Sequence, residues 1–188
     1  MSAAPQPLSV FKFLAAGARA PLTGFVWPVP AGAAAASWVE TSGPLVPCER
    51  GVHVCRVDDL PYWLHDELWQ MQVDGEQHAG VDCIVVRRAR LLRRIDGWQR
   101  DAARSFAQAC AQHAAEALAA APDELRAGAE GYVDDARECA AAGLVALAAF
   151  SAAVAIGKHV PAERAVQAYR AERAWQADWL ARCVIAGS

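Results

Sequence analysis

The chain has 188 residues, a formal net charge of −3 and 55% hydrophobic residues, and it carries seven Trp. A chain of this length and composition can bury roughly 70% of its unfolded surface, which excludes an intrinsically disordered protein. Its mildly acidic balance argues against a dedicated nucleic-acid binder, whose phosphate contacts need a basic surface.

The opening MSAAPQPLSVFKFLAAG lacks a basic stretch followed by a long apolar run, so it does not read as a secretory leader, and the expected compartment is the cytoplasm. Short apolar or alternating runs broken by Pro and Gly then predict strands at Val10–Leu14, Gly24–Val29, Ser37–Thr41, Gly51–Arg56, Leu68–Val73 and Cys83–Ile95. Trp69, Met71 and Val73 alternate with Gln70 and Gln72, the period of a half-buried strand. On the strand at 51–56, His53 and Cys55 share one face, and Val52 and Val54 occupy the other. One helix interrupts the series. Asp58 is a suitable N-cap and Pro61 suits a first turn, predicting a short helix over Asp59–His65.

Composition changes near residue 96: residues 97–188 hold 31 of the 44 alanines. The expected organisation is a β-rich domain over 1–96 and an Ala-rich helical region over 97–188, forming one unit. Phe106, Cys110, His113 and Ala117 recur at helical spacing, as do Tyr132, Ala136, Cys139, Gly143, Leu147, Phe150 and Val154. A third helix begins at Pro161 and carries Val166, Tyr169, Trp175, Trp179 and Leu180. Cys139–Gly157 has no charged residue, but its alanines add little to membrane insertion. It is read as a central soluble helix in which Gly143 permits close packing.

Six dispersed cysteines in a chain of this size read as free thiols. Cys48, His53 and Cys55, with Cys83 from a later strand, form a Cys3His set suited to zinc, although the spacing is not that of a zinc finger. The other reading makes Cys55 and Cys83 small core residues and His53 a hydrogen-bonded strand residue. His113, on an apolar stripe, reads as core. Residues 57–86 hold seven acids and no Lys or Arg, and Arg87, Arg88, Arg90, Arg93 and Arg94 follow within eight positions. Paired strands would set these charges opposite each other as exposed ion pairs; a phosphate site is the alternative. Strict alternation would send Arg88, Arg90 and Arg94 to one face and Arg87 and Arg93 to the other. The chain contains no Walker loop, dinucleotide fingerprint, nucleophile elbow or HExxH.

The order Cys48-x-x-Gly51-x-His53-x-Cys55, Asp59-Leu60-Pro61-Tyr62-Trp63, Glu67 to Gly75 and the basic Val85–Ile95 strand resembles an uncharacterised domain family of phages and bacteria. The resemblance covers about residues 10–96 and implies no particular activity. A looser likeness in element order, from Gly51 to Val54 through Tyr62 to the later strands, is to the ADP-ribosyltransferase core. It would need a catalytic carboxylate on a late strand, for which Glu67 is the candidate.

The expected fold is therefore α+β, a small twisted, mostly antiparallel sheet with one short helix, followed by three C-terminal helices packed on it. The expected function is a cytoplasmic binding or interaction module with a Trp-lined pocket formed by His53, Tyr62, Trp63 and Trp69. Its partner would be a small molecule or a protein, with neither nucleic acid nor membrane involved. The alternative is a transferase-type enzyme using the same pocket, and zinc is compatible with either.

Overall fold

In the computed structural model, residues 9–32 and 34–187 are described; most of the segment read above as unlike a leader lies outside them. Five antiparallel strands form one sheet: β1 Val10–Leu14, β2 Val39–Glu40, β3 Val52–Val54, β4 Glu67–Ala79 and β5 Ile84–Arg94. The long β4–β5 hairpin is its spine. β1 pairs with β4 through Val10–Met71 to Leu14–Glu67, and both β3 and β2 pair with β5. The run expected at Gly24–Val29 contributes a single bridge, Arg19 to Val26, and its Pro28 has no N–H to continue a ladder.

Just past β3, Cys55 exchanges two backbone hydrogen bonds of 2.8 Å with Phe11 of β1. β1, β4, β5 and β3 therefore follow one another in a ring closed by one residue pair. Gly51 permits the tight approach. Its φ is +132°, and a Cβ there would stand 2.2 Å from Val85 Cγ2. Val52 and Val54 join Val10, Leu14, Trp27, Trp69, Met71, Val86 and Leu91 in one core. Phe11, Phe13, Cys55 and Leu68 face a second core shared with the helices. The alternation expected of 52–55 and of 69–73 is thus observed: Val52, Val54, Trp69 and Met71 enter one core, Cys55 enters the other, and Gln70 and Gln72 meet the β5 arginines.

The short helix is a 3-10 segment at Val57–Tyr62, two residues earlier than expected. Asp59, not Asp58, organises its start: its carboxylate accepts the Arg56 amide at 2.8 Å and the Arg56 guanidinium at 2.9 Å. A carboxylate three residues into the helix reaches back to the cap, and burial of Asp59 fixes that choice.

The C-terminal half has more helices than periodicity indicated: α1 Arg100–Ala119, the single turn α2 Asp123–Arg126, α3 Glu130–Ala142, α4 Val145–Lys158 and α5 Ala165–Leu180, which runs into a π turn at Ala181–Ile185. The unbroken helix expected across Cys139–Gly157 does not exist. Gly143 adopts φ +74° as the left-handed C-cap of α3, and the chain restarts as α4. Leu144 N–H reaches Cys139 O at 2.8 Å, which closes the end of α3. α4 buries Ala148, Ala149, Ala152 and Ala153, so its small residues do permit close packing. Among the described residues no helix is long and apolar enough to cross a membrane.

Candidate functional site

Of the four residues expected to line one pocket, Trp63 and Trp69 pack into different cores. The His53 ring is half-buried on β3; its Nε2 accepts the Cys48 amide at 2.9 Å, which leaves the ring proton on Nδ1, and its carbonyl accepts Lys12 Nζ at 2.7 Å. Burial, then the nearby Lys12 charge, lowers the His53 pKa against the pull of a Gly51 backbone bond. Trp63 packs on the helix-side core and donates to Asp82 O at 2.7 Å. Trp69 is buried in the other core and donates to Glu67 Oε2 at 3.0 Å. Tyr62 lies over the Arg173 guanidinium, 5.0 Å from its ring centre. Trp63 and Trp69 thus belong to different cores, and sequence proximity does not make them neighbours.

The zinc set is not assembled either. Among the described residues no group of three or more His, Cys, Asp or Glu could hold a metal ion. His53 Nε2 accepts the Cys48 amide, and burial pushes the Cys55 thiol up to about 12 and the Cys83 thiol up to about 11. Lys12 lies close enough to both to feel their charge, and burial lowers its own pKa. All six cysteines are unpaired, as expected.

Glu67 is a structural carboxylate. It accepts the Gly17 and Ala18 amides at 3.1 Å and Trp69 Nε1 at 3.0 Å, and lies 3.5 Å from Arg94. Burial raises its pKa, but the Trp69 bond, the two amides and Arg94 outweigh that and hold it below the usual carboxylate range. The residue nominated for the transferase reading is therefore engaged in tying the 15–18 turn to β4.

The arginines of β5 meet β4 across the hairpin, Arg87, Arg88 and Arg94 opposite acids as expected but Arg90 and Arg93 opposite glutamines. Arg88 meets Asp74, Arg87 meets Glu76, and Arg90 and Arg93 donate to Gln72 and Gln70 at 2.7 to 2.9 Å. The division between faces differs from strict alternation. A bulge puts Gln70 opposite Arg93 and Met71 opposite Leu91, so Arg93 shares a face with Arg88 and Arg90 while Arg94 crosses to the Trp69 side. Trp38 stacks against that first face, 4.9 Å from Arg88 and 4.6 Å from Arg90.

A cavity of ligand size lies elsewhere, at the start of α1. Leu64, His65 and Asp66, the segment from Trp98 to Arg104, and the α3–α4 corner from Ala142 to Leu147 enclose about 670 Å3, within the usual range for small-ligand sites. Trp98 locks two walls together by donating Nε1–H to His65 O at 2.7 Å. Asp66 accepts the Ala16 amide at 3.0 Å and lies 3.3 Å from His65. Arg100 and Arg104, one turn apart on α1, make no ion pair among the described residues, and Gln99 does not cap the helix with its side chain. The first-turn amides of α1 are therefore left open, with two guanidiniums beside them. The opposite rim is apolar, with Leu144 and Leu147 about half exposed. Three segments far apart in sequence build this cleft, and the only local signal was the i, i+4 pair Arg100 and Arg104.

His113, read as core, is instead half-exposed; it stacks on Trp175 at 4.1 Å and its Nδ1 lies 2.7 Å from Glu172. No protein family matches the chain, and no curated protein or solved structure matches it.

Proposed function

We propose that the protein is a cytoplasmic binding module whose recognition site is the cleft at the start of α1, rather than a pocket around His53. The observation that carries this reading is the pairing, within about 670 Å3, of an uncapped helix start flanked by Arg100 and Arg104 with the apolar rim of Leu144 and Leu147. Such a site complements a small amphipathic molecule with an anionic end, or the carboxylate terminus of a peptide. The resemblance of residues 10–96 to a phage and bacterial family is compatible with it and adds no chemistry.

Titration with octanoate and octyl phosphate against octanol, followed by amide chemical shifts, tests it. The anionic ligands should shift Trp98 and Arg100–Arg104, and Arg100→Ala with Arg104→Ala should weaken binding about tenfold, since a charge-assisted hydrogen bond contributes about 1.5 kcal/mol or more. Equal binding of octanol, or shifts confined to the sheet, would overturn the reading.

A further inference from the structure

His113 of α1 is set against a buried carboxylate of α5. Its Nδ1 lies 2.7 Å from Glu172 Oε2, and the Glu172 side chain is 0% exposed where the His113 side chain is 36% exposed. Glu172 Oε1 accepts Gln176 Nε2 at 3.0 Å, and Gln176 is anchored in turn on Ala149 O at 3.0 Å. A carboxylate so held accepts the ring proton on Nδ1 and raises the basicity of the ring, which puts the free lone pair on Nε2. One face of the imidazole stacks on Trp175, with ring centres 4.1 Å apart and planes 13° from parallel. The exposure is thus left to the other face and to the Nε2 edge, where no hydrogen bond from the described residues is made. The remaining histidines are held differently. His53 Nε2 accepts the Cys48 amide, His65 Nδ1 accepts the Asp66 amide, His159 Nδ1 lies 3.4 Å from Ala155 O, and His78 meets the exposed Glu76 at 3.0 Å.

We propose that His113 and Glu172 form an acyl-transfer site, with His113 the nucleophile and Glu172 its positioning residue, for uncharged esters that carry a good leaving group. The site is separate from the cleft at the start of α1 and does not depend on it. Glu172 behind the ring, and Glu116 one turn along α1, favour an uncharged acyl group over an anionic phosphoryl group, and Trp175 sets an apolar surface beside it. In the first step the Nε2 lone pair attacks the ester carbonyl; the C–Nε2 bond forms, the C–O bond to the leaving group breaks, the leaving group departs as its anion, and Glu172 takes the Nδ1 proton. Water then adds to the acyl carbon, the C–Nε2 bond breaks and the acid leaves as its carboxylate. Glu172 returns its proton to Nδ1, and the two protons of the water go to solvent. One ester and one water become a carboxylate, the leaving-group anion and two protons, with no change of oxidation state.

The experiment mixes the full chain with p-nitrophenyl acetate, follows p-nitrophenolate release, and maps acetylated peptides by mass at successive times after an acid quench. The expected result is an early acetyl group on His113, ahead of His78 as the exposed comparator, which is then discharged as turnover continues. His113→Gln should remove that turnover. Glu172→Gln should slow acetylation at His113 roughly tenfold or more while leaving the rate at His78 in the same molecule unchanged, whereas a loss of folding would alter every site together. Acetyl groups spread evenly over the histidines, a His113 no faster than His78, or turnover that survives His113→Gln would each overturn the proposal. The wild-type map decides this even where a variant folds poorly.

Discussion

The carboxylate of Glu172, enclosed against α1 and α4, meets Nδ1 of His113 at 2.7 Å, and on its other side accepts Gln176 Nε2 at 3.0 Å. Gln176 continues the chain to Ala149 O and Arg173, and Arg173 to Pro61 O and the Tyr169 hydroxyl. One network thus links α5 to α1, α4 and the 3-10 segment. Its cost is a buried acid. Desolvation pushes the Glu172 pKa up, and Gln176, His113 and Arg173 offset that only in part.

An acid with a raised folded pKa contributes stability below its unfolded pKa near 4.5, and that stability is lost as pH rises through the folded value. Glu172→Gln removes the titration and keeps an acceptor for Gln176. Urea denaturation at pH 4.5 and pH 7 should show wild type losing stability relative to this variant as pH rises. A constant difference between the two proteins would contradict the direction of the shift.

Glu67 carries the opposite sign. Its lowered folded pKa contributes stability above the unfolded value near 4.5, and this is lost as pH falls through the folded value. Glu67→Ala would leave the Gly17 and Ala18 amides and Trp69 Nε1 without their acceptor, at a cost of about 3 kcal/mol at neutral pH. Denaturation curves at pH 7 and pH 3 should show the gap between wild type and the variant narrowing at the lower pH.

Gly143 was expected to resist substitution because of crowding, yet a Cβ there would have no neighbour within 4 Å. Backbone conformation alone sets the cost. Gly143→Ala should destabilise by about 1 kcal/mol, from placing a side chain at φ +74°. Gly143→Leu should cost nearly the same, and a much larger loss for Leu in a denaturant titration would restore the overpacking explanation.

The partial ion pairing of the β5 arginines and their division between two faces predict weak affinity for nucleic acid. Arg88 and Arg87 are matched by Asp74 and Glu76, and Arg94 turns away from the face that holds Arg88, Arg90 and Arg93. Binding to mixed DNA or RNA should vanish by physiological salt. Submicromolar affinity with a log-log salt slope near about −4 in a fluorescence titration would show five free arginines at work.

Local periodicity made much of the fold legible. Backbone geometry ties side-chain direction to a period of two in strands, so Val10–Leu14, Val52–Cys55 and Trp69–Val73 could be assigned to faces, and charge segregation between residues 57–86 and 87–94 anticipated the ladder. The Ala-rich pattern likewise marked the helical half, but apolar residues continue through Gly143, so periodicity could not distinguish one helix from two that turn at a left-handed glycine. Tertiary structure decided the rest. The bulge at Met71 moved Arg93 and Arg94 between faces, because one inserted residue inverts every side chain beyond it. Sheet faces separated Trp63 from Trp69, and the fold gathers no group of three or more His, Cys, Asp or Glu that could hold a metal ion among the described residues. The cleft of Leu64–Asp66, Trp98–Arg104 and Ala142–Leu147, and the His113–Glu172 contact, join segments whose meeting depends on how helices pack against the sheet, a relation that no local spacing encodes.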